Sequence, residues 1–361
     1  MNVTTTLPQA HPGPAGTPEL LDAGPVTRLR ARRRRRLVLV VVSCAVLVVA
    51  LATLALTLGA ASLPPGRALL ALFGLGEQTD TFIVQRLRLP RIEAALLTGA
   101  AFGLAGALFQ ATLRNPLASP DILGIASGAS LGAVFALLVL GVTGLVVSAA
   151  AFSGAAVVTL LIWFFAWRRG LHSIRFVLVG VGFAYLCSSL LAWLLAGAEE
   201  REAQSALLWT VGSVSDVRGE ELGVLAAGLA LLAVAVAAVS RWQGPLGLGD
   251  DHARGLGVHA DLARVGSLLL AVGLVALATS FAGPLAFVAL VAPAIARRLV
   301  DDGGAALVAS TVTGAALVLA GDVVGQHALF GISVPAGIVT GLVGAPYLLW
   351  LLATNERKSH V

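Results

Sequence analysis

The chain has 361 residues, 58% of them hydrophobic and 12% charged, with a formal net charge of +5. Soluble domains carry about 25% charged residues, so this complement cannot cover a water-facing surface of such size, and an ordinary soluble enzyme is excluded. A bilayer-crossing helix needs about 20 apolar residues, so ten would use about 200 and leave short loops and tails. Lys358 is the single lysine, so the phosphate-gripping G-x-x-x-x-G-K-[ST] loop cannot form. Any ATP that drives this chain is therefore hydrolysed by another subunit. Cys44 and Cys187 sit within apolar runs and read as small buried residues, not as a redox pair or zinc ligands. The six histidines show no H-E-x-x-H or clustered spacing, so neither a metal site nor a cofactor is expected.

Residues 1–27 are rich in Pro, Gly, Thr and Ala and lack hydrophobic periodicity, the composition of a disordered segment. Arg28, Arg30 and Arg32–Arg36 follow, completing a tail over 1–36, and Leu37–Ala61 is apolar. Arginines set directly against a long apolar run read as a cytoplasmic anchor, not as a nucleic-acid contact or a cleaved leader. Further apolar segments lie at 91–111, 121–141, 144–167, 174–198, 221–240, 262–282, 284–297, 304–325 and 334–353. The expectation is an all-α polytopic membrane protein with ten transmembrane helices over 37–353, both termini cytoplasmic, and a short tail at 354–361. Threading the ten spans puts 18 of the 24 Lys and Arg residues inside and 6 outside, as the positive-inside rule requires.

Two loops are longer than the rest. The external one, 199–220, carries Glu199, Glu200, Glu202 and Glu220 around a semi-polar segment. The cytoplasmic one, 241–261, is broken by Gly244-Pro245 and then reads L-G-L-G-D-D-H-A-R-G-L-G-V. A short helix there places Asp250, Asp251 and Arg254 on one side, with Leu248 and Leu256 on another. It is either a handle for a partner or a mere connector. Gly99, Gly103 and Gly106 mark the second span, and Gly124, Gly128 and Gly132 the third at spacing four. Such stripes read as seams of close backbone packing, because the hydrophobic effect does not drive helices together within lipid. Gly128-Ala129-Ser130-Leu131-Gly132 matches the G-x-S-x-G nucleophile elbow, but that motif needs a preceding strand, so no catalytic residue is assigned. Most spans are charge-free in their deep portions, unlike ion-coupled carriers with intramembrane relays; Asp121, Glu93 and Asp322 lie near expected ends.

Six strings in chain order then carry a resemblance. They are Arg88-Leu89-Pro90-Arg91 leading to Gly106-Ala107-Leu108-Phe109-Gln110; Arg114-Asn115-Pro116-Leu117-Ala118-Ser119-Pro120 running to Gly124; Leu208-Trp209-Thr210-Val211-Gly212-Ser213; Leu248 to Gly257; Ala282-Gly283-Pro284 through Pro293 to Arg297 and Arg298; and Val334-Pro335-Ala336-Gly337 through Pro346-Tyr347. Together they resemble the permease family of ABC importers for ferric siderophores, haem and cobalamin, the FecCD type.

That resemblance implies a large ten-span permease, paired with a second permease subunit of the same or a homologous chain. It also implies two cytoplasmic ABC ATPase subunits, an extracytoplasmic substrate-binding protein and a bacterial cell membrane. Within it, Leu248, Asp250, Asp251, Arg254, Leu256 and Gly257 correspond to the helix that seats in the ATPase. Arg88 and Arg91 correspond to outward-facing basic residues that meet acidic groups on the binding protein. A ferric siderophore is the expected cargo, with cobalamin or haem as alternatives, and an ion-coupled secondary transporter is the rival reading. The chain departs from the family pattern at Gln326, where some members carry an external arginine, at Ala294, and at His252 and Gly255 in the coupling segment. Glycine costs a helix about 1 kcal/mol relative to alanine, which would leave this short helix dependent on its partner.

Overall fold

The computed structural model describes residues 24–59, 61–166, 173–217, 219–300, 306–327 and 332–359. The tail at 1–23, Arg168, Arg169 and Arg218 lie outside the described residues. The chain folds into α1 (Gly24–Thr57), α2 (Pro65–Leu72), α3 (Gln78–Phe82), α4 (Leu89–Leu113), α5 (Ile125–Leu138), α6 (Leu145–Ala166), α7 (Ser173–Ala196) and α8 (Glu200–Val211). It continues with α9 (Glu220–Ser240), α10 (Gln243–Gly247), α11 (Asp250–Gly255), α12 (Ala260–Ala282), α13 (Val288–Val300), α14 (Leu307–His327) and α15 (Ala336–Ser359). A π-helical turn, Ile83–Arg88, feeds α3 into α4, and a 3-10 turn, Pro120–Leu123, precedes α5.

Each of the ten expected apolar segments contains one helix. Among the described residues, seven helices are long and apolar enough to cross a membrane, and Ile125–Leu138 and Ala336–Leu351 are shorter apolar helices. The expected segments at 121–141 and 284–297 shorten to 14 and 13 helical residues. Their first turns are replaced by irregular backbone, with Gly124 at φ 74° and Phe287 at φ 64°. Irregular backbone at membrane depth is tolerated where protein covers it, and Ile125 and Leu285 beside these turns are buried. Two boundaries differ from expectation. Residues 24–36, read as tail, are already part of α1: Pro25 stands in the first turn and arginine is a good helix former. At the other end α15 runs through 354–359.

α4 is the centre of the bundle. It packs against α14, α12 and α13 and buries Phe102, Leu108 and Phe109 almost completely. Its glycines explain the closeness. A methyl group at Gly99 would overlap the Gly314 carbonyl, at Gly103 the Ser310 carbonyl, and at Gly106 the Ala289 carbonyl. A second seam joins α5 to α6, where Gly128 meets Gly154 and Val158, and Gly132 meets Ala150. Gly124, grouped with that stripe by its spacing, instead caps α5 in a left-handed conformation against Ala184 of α7.

Three of the six family-like strings meet at one point. The Ser213 amide donates to the Ala282 carbonyl at 2.7 Å, and the Gly337 amide donates to the Gly212 carbonyl at 3.1 Å. Gly212 and Gly283 hold φ of 83° and 68°, a region that strains other residues. The ends of α8 and α12 and the start of α15 are thereby tied through backbone.

Leucine at Gly128 cannot fit where Val158 and the Gly154 carbonyl already crowd the site. Gly128→Leu is expected to abolish a monodisperse, detergent-stable species in size-exclusion chromatography. Elution indistinguishable from wild type would show that the seam does not hold the bundle.

Candidate coupling and docking surfaces

α10 and α11 form a small platform between α9 and α12. Leu246 and Ala253 are buried against Ala260 and Ala263, with Trp242 and Val258 closing the cluster. Gly249, at φ 112°, turns the chain from α10 into α11, and Gly257, at φ 79°, turns it out again. α11 is helical in this chain, and Gly255 is its last residue, where glycine disrupts least.

The charges of α11 do not share one side. Asp250 turns inward, and its Oδ1 accepts from Arg114 Nη2 at 2.8 Å and from Arg264 Nη2 at 2.6 Å. Arg114 Nη2 also donates to the Leu246 carbonyl at 2.5 Å. These hydrogen bonds, from Arg264 first, hold the Asp250 carboxyl below the usual carboxylate range. A depressed pKa means the stabilisation is present above the ordinary carboxylate pKa and is lost only as acid protonates the folded form, so the group stays charged near neutrality. Asp251 points outward and is 98% exposed, paired loosely with Arg254 at 3.4 Å. Leu248 and Leu256 are 66% and 64% exposed. The platform thus leaves two leucines, Asp251 and Arg254 exposed on its surface, and keeps Asp250 for itself.

At the other end of α4, the π-helical turn gives Pro90 a place in the first turn, where a missing N–H is tolerated. Arg86 on this turn is exposed. Arg88 donates through Nη1 to the Leu56 carbonyl in the last turn of α1 and through Nη2 to the Ala61 carbonyl just beyond it. Arg91 grips Asp322 of α14: Nε lies 2.9 Å from Oδ2, and Nη2 lies 2.8 Å from Oδ1. Gln326 Nε2 donates to the same carboxylate at 2.6 Å. Asp322 is 1% exposed and Arg91 is 22% exposed. Beside the tied ends of α8, α12 and α15 lies a cavity of about 390 Å³, with Thr143, Ser148, Ser205, Trp209, Ser215 and Asp216 in its wall. No group of three or more His, Cys, Asp or Glu residues able to hold a metal ion occurs among the described residues.

The FecCD transport family profile matches residues 46–354, nearly the whole helical body. The chain belongs to that family. It is 37% identical over 303 residues to the ferric enterobactin transport permease FepG of Escherichia coli, covering 84% of this chain and 92% of the relative. It is 39% identical over 305 residues to the achromobactin transport permease CbrC of Dickeya dadantii, covering 84% and 87%. A solved metal-chelate type ABC transporter in an inward-facing conformation superposes with a TM-score of 0.76 at 26% identity, covering 88% of this chain and 99% of that one. The protein is a multi-pass membrane permease subunit of an ABC importer.

Two features of this family member are not apparent from its sequence motifs. Asp322 in an apolar span calls for a cation, and Arg91, at the outer end of another span, supplies it. Arg114 at the end of α4 and Arg264 near the start of α12 lie close to a loop acid, which is the signal for their shared partner. Removing one member of a buried ion pair strands the other charge and costs about 3–5 kcal/mol, whereas replacing both with apolar groups is far milder. Arg91→Met should therefore lower the thermal unfolding midpoint in detergent clearly, and the double variant Arg91→Met, Asp322→Leu should recover most of the loss. A single variant as stable as wild type would show that the pair is not a structural lock.

Proposed function

We propose that this chain is the ten-span, membrane-spanning subunit of an ATP-driven importer for a ferric siderophore in the bacterial cytoplasmic (inner) membrane. The observation that carries the reading is the outward face of α10–α11, with exposed leucines and an exposed acid–base pair on a buried support, in a chain matched by an importer family along its helical body. The siderophore assignment rests on the ferric enterobactin and achromobactin permeases among its relatives.

In this reading the chain performs no covalent chemistry. Two partner ATPase subunits seat on Leu248, Asp251, Arg254 and Leu256 of each of two permease subunits, with Gly257 turning the chain out of the platform. ATP-driven closure moves the platforms, the paired bundles tilt to open a central path outward, and hydrolysis returns the path inward. An external binding protein delivers the cargo to the face that carries Arg86, Arg88 and Arg91. Arg91 is already committed to the Asp322 carboxylate, whereas Arg88 is held only by neutral carbonyls, so Arg86 and Arg88 supply the charge available to an acidic partner.

The test is uptake by proteoliposomes containing the permease, its ATPase and its binding protein, supplied with radio-iron-loaded enterobactin. Uptake should require ATP, and Arg254→Glu should cut transport per ATP hydrolysed by tenfold or more while the variant inserts normally. Uptake of cyanocobalamin in place of the iron chelate would move the cargo assignment. Uptake by the permease alone, driven by an ion gradient, would overturn the importer reading.

Charge reversal at Arg86 and Arg88, sparing Arg91 so that Asp322 keeps its partner, should weaken binding-protein affinity tenfold or more at low salt. The effect should shrink at high salt, because added ions already screen the wild-type attraction. Unchanged low-salt affinity would leave those arginines as membrane anchors only.

A further inference from the structure

The coupling face explains how a partner grips the platform, but not how the platform's movement reaches the spans. The loops on either side of α11 turn at glycines, Gly249 and Gly257, and glycine turns are poor levers. Asp250 offers a stiffer connection. One of its oxygens is held by two guanidinium groups from different spans, Arg114 at the end of α4 and Arg264 in the first turns of α12. Charge-assisted bonds of this kind are short and strong, and here they converge on the first residue of the very helix that presents the partner-facing groups.

The backbone beyond Arg114 is equally well held. Arg114 itself adopts a left-handed conformation at φ 52° where α4 ends. The residues after it form a built turn: the Asn115 amide donates to the Gln110 carbonyl at 3.2 Å, and the Leu117 amide donates to Asn115 Oδ1 at 2.9 Å. Ser119 then caps the 3-10 turn that leads into α5, its Oγ accepting from the Asp121 amide at 3.4 Å. A pull on the Arg114 side chain therefore acts on the hinge between α4 and α5, while a pull on Arg264 acts along α12.

We infer that Arg114 and Arg264 are positioning residues that convert movement of α11 into movement of the α4–α5 hinge and of α12, with Asp250 as the common pin. The inference rests on the proposed coupling role of α10–α11. It assigns Asp250 to the inside of the machine, facing its own chain, and leaves Asp251 and Arg254 for the ATPase. Two arginines on one pin make the three residues a unit, so their substitutions should not add.

The experiment uses the reconstituted complex with its ATPase subunits, spin-labelled at Pro116→Cys in both permease subunits. The label-to-label distance is read with and without ATP and vanadate. The parent complex should show an ATP-dependent shift. Arg114→Gln and Asp250→Asn should each lose most of it while the ATPase subunits still co-purify, and the double variant should lose no more than either single one. Arg114→Lys, which keeps a charged donor, should recover most of the shift, which a folding defect would not allow. A full shift in Arg114→Gln, or additive losses in the double variant, would overturn the inference. So would loss of ATPase binding in both single variants, because the fork would then be building the docking face. The coupling role itself is read separately: Leu248→Ser, Leu256→Ser should release the ATPase, and its retention there would count against that role and not against the fork.

Discussion

Within a bilayer the hydrophobic effect does not pull one helix onto another, since lipid tails are as apolar as leucine. Association depends instead on close packing and on polar groups that find partners. α4 satisfies both demands. Its glycines bring its backbone against α14 and α13, where a single methyl group would collide with a carbonyl. α12 also packs on α4, while α5 and α6 close on each other through a glycine seam of their own. This is why so apolar a chain needs so many small residues, and why its most buried helix is also one of its richest in Gly and Ala.

The polar side chains of α4 repeat the pattern at its two ends. At the outer end Arg91 reaches Asp322 of α14. Toward the C-terminal end of α4 Gln110, almost wholly buried, donates to the Leu290 carbonyl of α13 at 3.2 Å and accepts from Arg297. One turn further on, Arg114 takes hold of the platform through Asp250. α4 is thereby clamped to α14, to α13 and to the α10–α11 platform, as a spine would be. If the platform moves as proposed, a tie to such a spine would carry that movement to packed helices and not merely to a loop.

Much of this was legible in the residues. The apolar segments located every long helix, because a spanning helix has few alternatives in lipid. The L-G-L-G-D-D-H-A-R-G-L-G-V string located the platform. Spacing could not say which way each charge turns. Asp250 and Asp251 are neighbours in sequence, yet one is claimed by Arg264 of the next helix and by Arg114, 136 positions away, while the other faces water, and spacing does not decide between them. The same holds for Arg91, whose partner lies 231 positions away in the chain. Helix ends were blurred for a local reason: Gly124 and Phe287 in left-handed backbone cut two apolar runs short, and hydropathy is blind to backbone dihedrals.

Coupling by this route requires the exposed face of α10–α11 to be the seat of a partner ATPase. A photo-crosslinking amino acid placed at Leu256 tests this most directly, with one at Leu231, an exposed position within the apolar helix α9, as the control. In membranes that carry the full importer, the probe at Leu256 should crosslink to the ATPase subunit and the probe at Leu231 should not. A probe at Leu256 that captures only lipid or its own chain would contradict the coupling role.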